Sequence, residues 1–458
     1  MNEFVMNFLD SEPLYIQVYQ KIKIDILAGK LKSGDKLPSK RSLAKHLEIS
    51  INTVEAAYQQ LIAEGYVVSQ PKRGVFVQQL ESQLPLTKSE IVLKEANSPK
   101  WFIDFSQGMI DTDHFPLSQW RKYTNLALDD LANLQLGHYQ GEFTLRKEIS
   151  SYIYEARGVT CSPEQIVIGA GTQYLLKLLL MLFDLGTTVA MEDPGFHRAR
   201  MSFGEAGMNV LPVTIDKDGL NFNQLYETRA KLFYCTPSHQ FPLGAIMPIG
   251  DRQKLLQWAT EQDSFIIEDD YDGEFRYEGK PIPALQGLDK GKRVIYLGTF
   301  SKSLVPAIRL NFLVLPPQLL KRYQENLSHI KQPVSKIHQR SLAFFMQDGH
   351  WQRHLNRMRT LYRKKQETLL LALDKYFGDR VKINGEKSGL HIVINVLDTK
   401  LTEVELIERA AKVGIKVYPT SIYYIRPVPT YPQLLIGYGG VPLENIPKGI
   451  KLLADVWC

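Results

Sequence analysis

Apolar residues recur every fourth position in the opening stretch "PLYIQVYQKIKIDILAGK". Leu14, Val18, Ile22 and Ile26 share one helical face, and Gly29 supplies the stop. A second short helix follows the loop holding Gly34 and Pro38, with Ser39 as its cap and Leu43 and Leu47 turned inward. After a short turn, Ser50 caps a third helix that buries Val54, Ala57, Tyr58, Leu61 and Ile62 and ends at Gly65. Two β-type runs, "YVVSQ" and "VFV", flank "PKRG". Helix, helix, turn, helix, hairpin is the order of a winged helix-turn-helix, expected over residues 1–78. Residues 79–100 mix charge, Ser and Pro with weak periodicity, so a flexible linker is expected there. From Trp101 helical periods alternate with β-rich runs: "QIVIGA", "TVAME", "KLFYCTP", "SFIIEDDY", "RVIYLGTF" and "NFLVLPP". That alternation predicts an α/β domain, residues 101–458, around a largely parallel or mixed sheet. Functional groups then belong at the C-terminal ends of its strands.

Composition adds to this picture at three points. The 458 residues are too many for one ordinary core, which agrees with a multidomain chain. The net charge of +6 permits an anionic partner, and its distribution is uneven. Lys30, Lys32, Lys36, Lys40, Arg41 and Lys45 face a single acid, Asp35, and Lys72 and Arg73 stand at the wing tip. Recognition helices enter the major groove by their N-terminal residues, here Ser50, Ile51, Asn52 and Thr53. The candidate DNA-binding set is therefore Lys40, Arg41, Ser50, Asn52, Thr53, Lys72 and Arg73. Cys161, Cys235 and Cys458 fit neither a disulfide framework nor a metal site, so a reducing cytoplasm and no metal are expected. The acidic "MNEFVMNFLD" lacks a basic n-region, so no signal peptide is expected there, and "YLLKLLLMLF" is too short to span a bilayer.

The chemistry gathers at strand ends. "IVIGAGTQYLLKLLLML" reads as strand, glycine turn and helix, with Gly171, Thr172 and Gln173 at a helix N-terminus suited to a phosphate. "FIIEDDYDGEF" ends a strand on Asp269 and Tyr271, and "YLGTFSK" ends the next on Lys302. Pyridoxal phosphate needs such a set: a lysine for a Schiff base, an acid facing the ring nitrogen, a phosphate cradle, a ring on its face and a phenol near its 3-oxygen. Lys302, Asp269, the Gly171–Gln173 turn, Thr299, Phe196, Tyr271 and the planar cation of Arg309 supply these types.

These residues also carry two resemblances. "LPSKRSLAKHLEIS", "NTVEAAYQQLIAEGYV" and "KRGVFV" resemble the GntR family of bacterial transcription regulators over most of residues 11–78. Members often have arginine at the second position of the third helix; Ile51 stands there, which leaves base readout to Asn52 and Thr53. "GAGTQ", "EDPGF", "TPSHQFPLG", "EDDYDGEF" and "GTFSKSLVPAIR" occur in the order of a fold type I aminotransferase, so residues 101–458 are similar to that family. The resemblance implies that Lys302 is the Schiff-base lysine and Asp269 the partner of the ring nitrogen. It further implies that Tyr271 serves the 3-oxygen, Phe196 stacks on the ring, and Thr299 and Arg309 bind phosphate. Where many relatives have asparagine before "PTG", "HQFPLG" offers Gln240 or His239. Where many have a tyrosine that reaches across to the other subunit's phosphate, this chain has Leu136.

A GntR-type reader joined to an aminotransferase-like domain is the MocR architecture, and "DTDHFP", "TPSHQFPLG" and "IPALQ" are similar to its GABA-sensing and vitamin B6-sensing branches. The resemblance implies a regulator that binds promoter DNA and senses pyridoxal phosphate, alone or as an imine with an amine effector. Arg198 or Arg426 would hold an effector carboxylate. The alternative is a working aminotransferase with an accessory reader. Fold type I sites usually lie between subunits, which implies a homodimer; the linker length permits a head-to-tail, domain-swapped one.

Overall fold

The computed structural model describes residues 6, 8, 12–79, 101–216, 219–277, 279, 281–397, 399–425, 429 and 431–457. It divides into two units, residues 1–97 and 98–458. The expected linker, 79–100, lies outside the described residues except for residue 79.

The first unit contains helices α1 (Leu14–Leu27), α2 (Lys40–Leu47) and α3 (Ile51–Ala63) and an antiparallel hairpin of β1 (Val67–Gln70) and β2 (Gly74–Val77). Both serine caps form: Ser39 Oγ accepts from Ser42 N at 3.2 Å and Ser50 Oγ from Thr53 N at 3.1 Å. Val18, Ile22, Ile26, Leu43, Val54, Ala57, Tyr58, Leu61, Val67 and Val77 close one small core. Two expected core positions fall outside it. Leu14, the first residue of α1, is 40% exposed, and Ile62 is 37% exposed beside fully buried Leu61.

The second unit is built on an eight-stranded sheet. Its strands are β4 (Ile166–Gly169), β5 (Thr188–Asp193), β6 (Asn209–Asp216), β7 (Gly219–Leu220), β8 (Leu232–Cys235), β9 (Phe265–Asp270), β10 (Val294–Thr299) and β11 (Asn311–Val314). Counting the short β3 (Ile103–Asp104) in the chain order, the sheet runs β4-β11-β10-β9-β8-β5-β6-β7. Five strands from β10 to β6 are parallel neighbours, and β11 and β7 run against them. Every residue of β8, β9 and β10 is buried, as strands covered on both faces require. On one face Leu175, Leu176 and Leu179 pack against Ile267, Ile295 and Leu297. On the other, Leu145, Ile149 and Phe345 meet Tyr296 and Phe312, while Leu255 and Trp258 meet Phe233 and Ile266.

A smaller antiparallel sheet completes the unit: β12 (Val381–Asn384), β13 (His391–Val396), β16 (Gln433–Gly437) and β15 (Tyr418–Pro419), in that spatial order. The short β14 (Ile415–Lys416) pairs in parallel with β3. This pairing ties the first residues of the second unit to its last hundred and carries the segment after β3 toward the large sheet.

Candidate functional site

The parallel strands end along one edge, and a cavity of about 250 Å³ opens there. Helices α4 (Leu117–Asp129) and α5 (Phe143–Arg157) precede β4; the first helix after it, α6 (Thr172–Leu180), is capped by Gly171, whose φ of 100° suits glycine. A Cβ at Gly171 would stand 2.0 Å from Arg309 Nη2, so the missing side chain is what admits the guanidinium. Arg309 also donates from Nη2 to the Ala170 carbonyl at 3.2 Å. Free N–H groups, the helix dipole, Arg309 and the hydroxyls of Thr172, Thr299 and Ser301 thus converge on one corner of the cavity.

Asp269, next to the last residue of β9, also lines the cavity. It is buried, and Tyr234 donates to its Oδ2 at 2.5 Å. Burial pushes this carboxyl up to about 7, with Asp270 and Asp272 adding to the rise and the Tyr234 bond opposing it. Lys302 follows β10 by three residues and lines the same cavity. Burial lowers its amine to about 8, Asp272 opposes the fall, and Arg198 adds to it. Its Nζ donates to Gln107 Oε1 at 3.0 Å and to the Gln107 backbone carbonyl.

The aromatic groups close the cavity. Phe196 and Phe241 line it with centroids 5.4 Å apart, and Tyr271 lies 5.8 Å from Phe241. The Tyr271 hydroxyl donates to the His239 carbonyl at 3.0 Å and lies 3.0 Å from His239 Nδ1. Behind it, His239 Nδ1 is 2.9 Å from Asp272 Oδ2, and His391 Nε2 donates to the Pro242 carbonyl at 3.1 Å. No metal was expected, yet the ligand atoms of His239, Asp272 and His391 lie within 4.8 Å of one another. These bonds join His239 to Asp272 and to Tyr271, so that pair braces Tyr271, while His391 is held by the Pro242 carbonyl. Burial keeps His391 neutral, pushing it down to about 3.

Of the expected cofactor residues, Thr172, Gln173, Phe196, Asp269, Tyr271, Thr299, Lys302 and Arg309 line this cavity, with Gly171 capping the adjacent helix. Gln240 does not. Its Nε2 donates to the carbonyls of Pro194 (2.8 Å) and Phe241 (2.7 Å), and its Oε1 accepts from Leu243 N, so its amide braces a loop. Phe241 faces the cavity in its place. Arg198 lines the cavity and is exposed, with no hydrogen bond or ion pair among the described residues. Arg426 lies outside the described residues.

Sequence reasoning missed Gln107, Tyr234, Thr236, Ser301 and Asn311. Asn311 opens β11 and Tyr234 lies next to the last residue of β8, so the rule that functional groups gather at strand ends could have found both. Nothing in "FSQG" marks Gln107, which reaches the site through the pairing of β3 with β14 and the approach of β16 at Gly437.

In the first unit Ile51 and Asn52 are exposed at the start of α3. Ser50 Oγ lies 2.8 Å from Thr53 Oγ1, so both hydroxyls belong to the cap. Arg41, Lys72 and Arg73 are exposed, while Lys40 pairs with Glu55 at 2.5 Å. Lys72 takes φ 61° at the hairpin tip, and Arg73 lies over the Phe76 ring at 5.7 Å.

Residues 14–77 match the family described as bacterial regulatory proteins, gntR family. Residues 100–432 match aminotransferase class I and II. The HTH-type transcriptional regulator YdeL of Bacillus subtilis is 46% identical over 97% of both chains. The probable rhizopine catabolism regulatory protein MocR of Rhizobium meliloti is 34% identical over 97% of this chain and 94% of its own. Among solved structures, an archaeal alanine:glyoxylate aminotransferase superposes with a TM-score of 0.72 at 25% identity, over 79% of this chain and 91% of that one. With a gntR reader at its head, a class I and II aminotransferase domain behind it, and full-length likeness to MocR, the chain belongs to the MocR-type transcription regulators of the gntR family.

Proposed function

We propose that this regulator holds pyridoxal 5'-phosphate in the cavity and reports on it, alone or joined to an amine, through its reading of promoter DNA. The convergence of Lys302, Asp269 and the Gly171–Arg309 corner on one cavity supports this above all else. The residues fit the cofactor. Lys302 would anchor it covalently, Asp269 would face its ring nitrogen, and the α6 N-terminus with Thr172, Gln173, Thr299 and Arg309 would take its phosphate. Phe196 would cover the ring, and Tyr271 would stand near the 3-oxygen. When bound, the cofactor supplies an electrophilic carbon that captures primary amines. Lys302 suits that role: with its amine lowered to about 8, roughly a tenth is neutral and nucleophilic at pH 7.

Arg198, free and at the cavity wall, would clamp the carboxylate of an amino-acid effector, with Arg426 as the second candidate. Sensing is favoured over turnover by the C-terminal lobe. After residue 380 the arginines are Arg409 and Arg426, and Arg409 donates to the Val456 carbonyl at 3.1 Å on a helix surface. Lys40, Arg41, Lys72 and Arg73 would contact DNA phosphates, and Asn52 with Thr53 would face bases, while Ser50 serves by capping α3. Among the described residues no helix is long and apolar enough to cross a membrane, and the reading places the protein in the cytoplasm with DNA as its partner.

The test is spectral. Wild-type protein incubated with pyridoxal phosphate is expected to turn yellow, with a visible absorption band. Lys302→Ala removes the band and the amine response but leaves DNA binding by the first unit. A colourless wild-type protein would end the cofactor reading.

A further inference from the structure

Gln107 meets Lys302 because its segment is fixed from both sides. Phe105 N donates to the Lys416 carbonyl at 2.9 Å, and Gly437 N donates to the Phe105 carbonyl at 2.8 Å. A Cβ at Gly437 would stand 2.5 Å from Gln107 Cα, so glycine alone lets β16 approach this closely. Four residues on, Asp111 pairs with buried Lys365 at 2.7 Å. The two oxygens of Gln107, side chain and backbone, are the hydrogen-bond acceptors that Lys302 Nζ meets among the described residues.

Hydrogen counting gives that pair of oxygens a meaning. A neutral primary amine carries two hydrogens. A lysine nitrogen double-bonded to carbon carries none, or one when protonated. Gln107 therefore matches a released Lys302 and mismatches a bound one, and only an interaction that differs between two states shifts their balance. We propose that Gln107 is a positioning residue that receives the Lys302 amine when another primary amine displaces it, favouring the ligand-held state over the lysine-held state.

The proposal rests on the cofactor reading above. In the exchange, the incoming nitrogen takes over the carbon–nitrogen double bond that Lys302 gives up. The two hydrogens the incoming nitrogen loses end on the Lys302 nitrogen, and nothing is oxidised or reduced. Gln107 accepts both hydrogens. Burial and Arg198 oppose a charge on the freed amine while Asp272 supports it; at pH 7 about a tenth of it carries two hydrogens and the rest three, and either form can fill both Gln107 oxygens.

The experiment uses full-length protein loaded with pyridoxal phosphate and titrated with methylamine, a probe without a carboxylate. Borohydride fixes whichever carbon–nitrogen bond is present, and mass spectrometry reads the fraction of cofactor on the Lys302 peptide. Gln107→Leu keeps the size and loses the side-chain oxygen. It should need on the order of three- to tenfold more methylamine to empty half of Lys302. Gln107→Glu restores an acceptor and should need no more methylamine than wild type. If both variants need the same excess, the effect is one of fit and the proposal is overturned. It is also overturned if Gln107→Leu loads normally and empties at the wild-type concentration. Should the leucine variant fail to fold, the glutamate variant decides alone: a raised requirement overturns the proposal, an unchanged or lowered one supports it. Absence of cofactor on Lys302 in wild-type protein before any methylamine is added marks failure of the cofactor reading instead.

Discussion

Asp269 is held where its charge is least welcome. Its ordinary value is 3.8, and burial beside Asp270 and Asp272 lifts it to about 7 in the folded chain. A carboxyl raised on folding favours the folded state at low pH and loses that contribution as pH rises from its unfolded value through its folded one. Without a cation opposite, stability should therefore drain away between about pH 4 and pH 7. Buried Glu192 and Glu268 and half-buried Glu274, raised to about 8, 7 and 7, drain in the same direction. Neutral His354 and His391, lowered to about 4 and 3, act oppositely and cost stability as pH falls below 6.5. The Asp269 share is isolated by Asp269→Asn. Melting temperatures of wild type and variant, taken from pH 4.5 to 8 without added cofactor, should diverge as pH rises, the variant gaining on wild type. Parallel curves would mean that Asp269 titrates alike folded and unfolded, and that it has no unmet demand for a ring cation.

At the scale of elements, α3 and the wing offer a separable test. Lys72 has φ 61°, a left-handed conformation that asparagine tolerates, so Lys72→Asn removes charge without straining the hairpin. Loss of one phosphate contact should weaken binding to all DNA sequences alike and flatten the log–log salt dependence by about 0.9. Asn52→Ala should instead leave the salt slope alone and relax discrimination at one base pair by about 1–3 kcal/mol. Binding isotherms at several salt concentrations on matched and single-mismatch promoter fragments separate the two; a change of slope for Asn52→Ala would move that residue to the backbone. The elements themselves were legible because they obey local rules. Ser39 and Ser50 cap because short hydroxyl side chains satisfy free N–H groups, and the apolar runs became strands because both their faces are covered. The cavity wall was legible where it lies at strand ends, as for Asp269 and Lys302. It was not where long-range pairing supplies it, as for Gln107, nor where a local demand captured a side chain. Gln240 stands in the expected loop, but unpaired carbonyls of Pro194 and Phe241 claimed its amide.

The whole molecule adds the question of how a filled cavity alters DNA reading. Leu128, Leu131, Leu134 and Leu136 are exposed, Leu136 to 77%, an apolar run that a subunit interface would cover. It includes the position where relatives place a tyrosine that reaches across to the other subunit. The proposed homodimer would join through the second units. Residues 79–100, fully extended at about 3.3–3.6 Å each, span at most roughly 80 Å. That reach would let each reader cross to the other subunit, and the pair would then be head-to-tail and domain-swapped. Readers so placed stand too far apart for half-sites one helical turn apart, and should favour repeats separated by several turns, with bending of the DNA between them. An effector with unequal affinity for two dimer geometries would then shift promoter occupancy without touching DNA. Sedimentation at micromolar concentration should give a dimer. Footprints should show two protected patches, and insertion of half a helical turn between them should abolish joint protection while a full turn restores much of it. Because rotation about the DNA axis, not distance alone, decides whether two tethered readers can land together, equal binding at half and full turns would show that the readers act independently and would remove dimer geometry as the route of the signal.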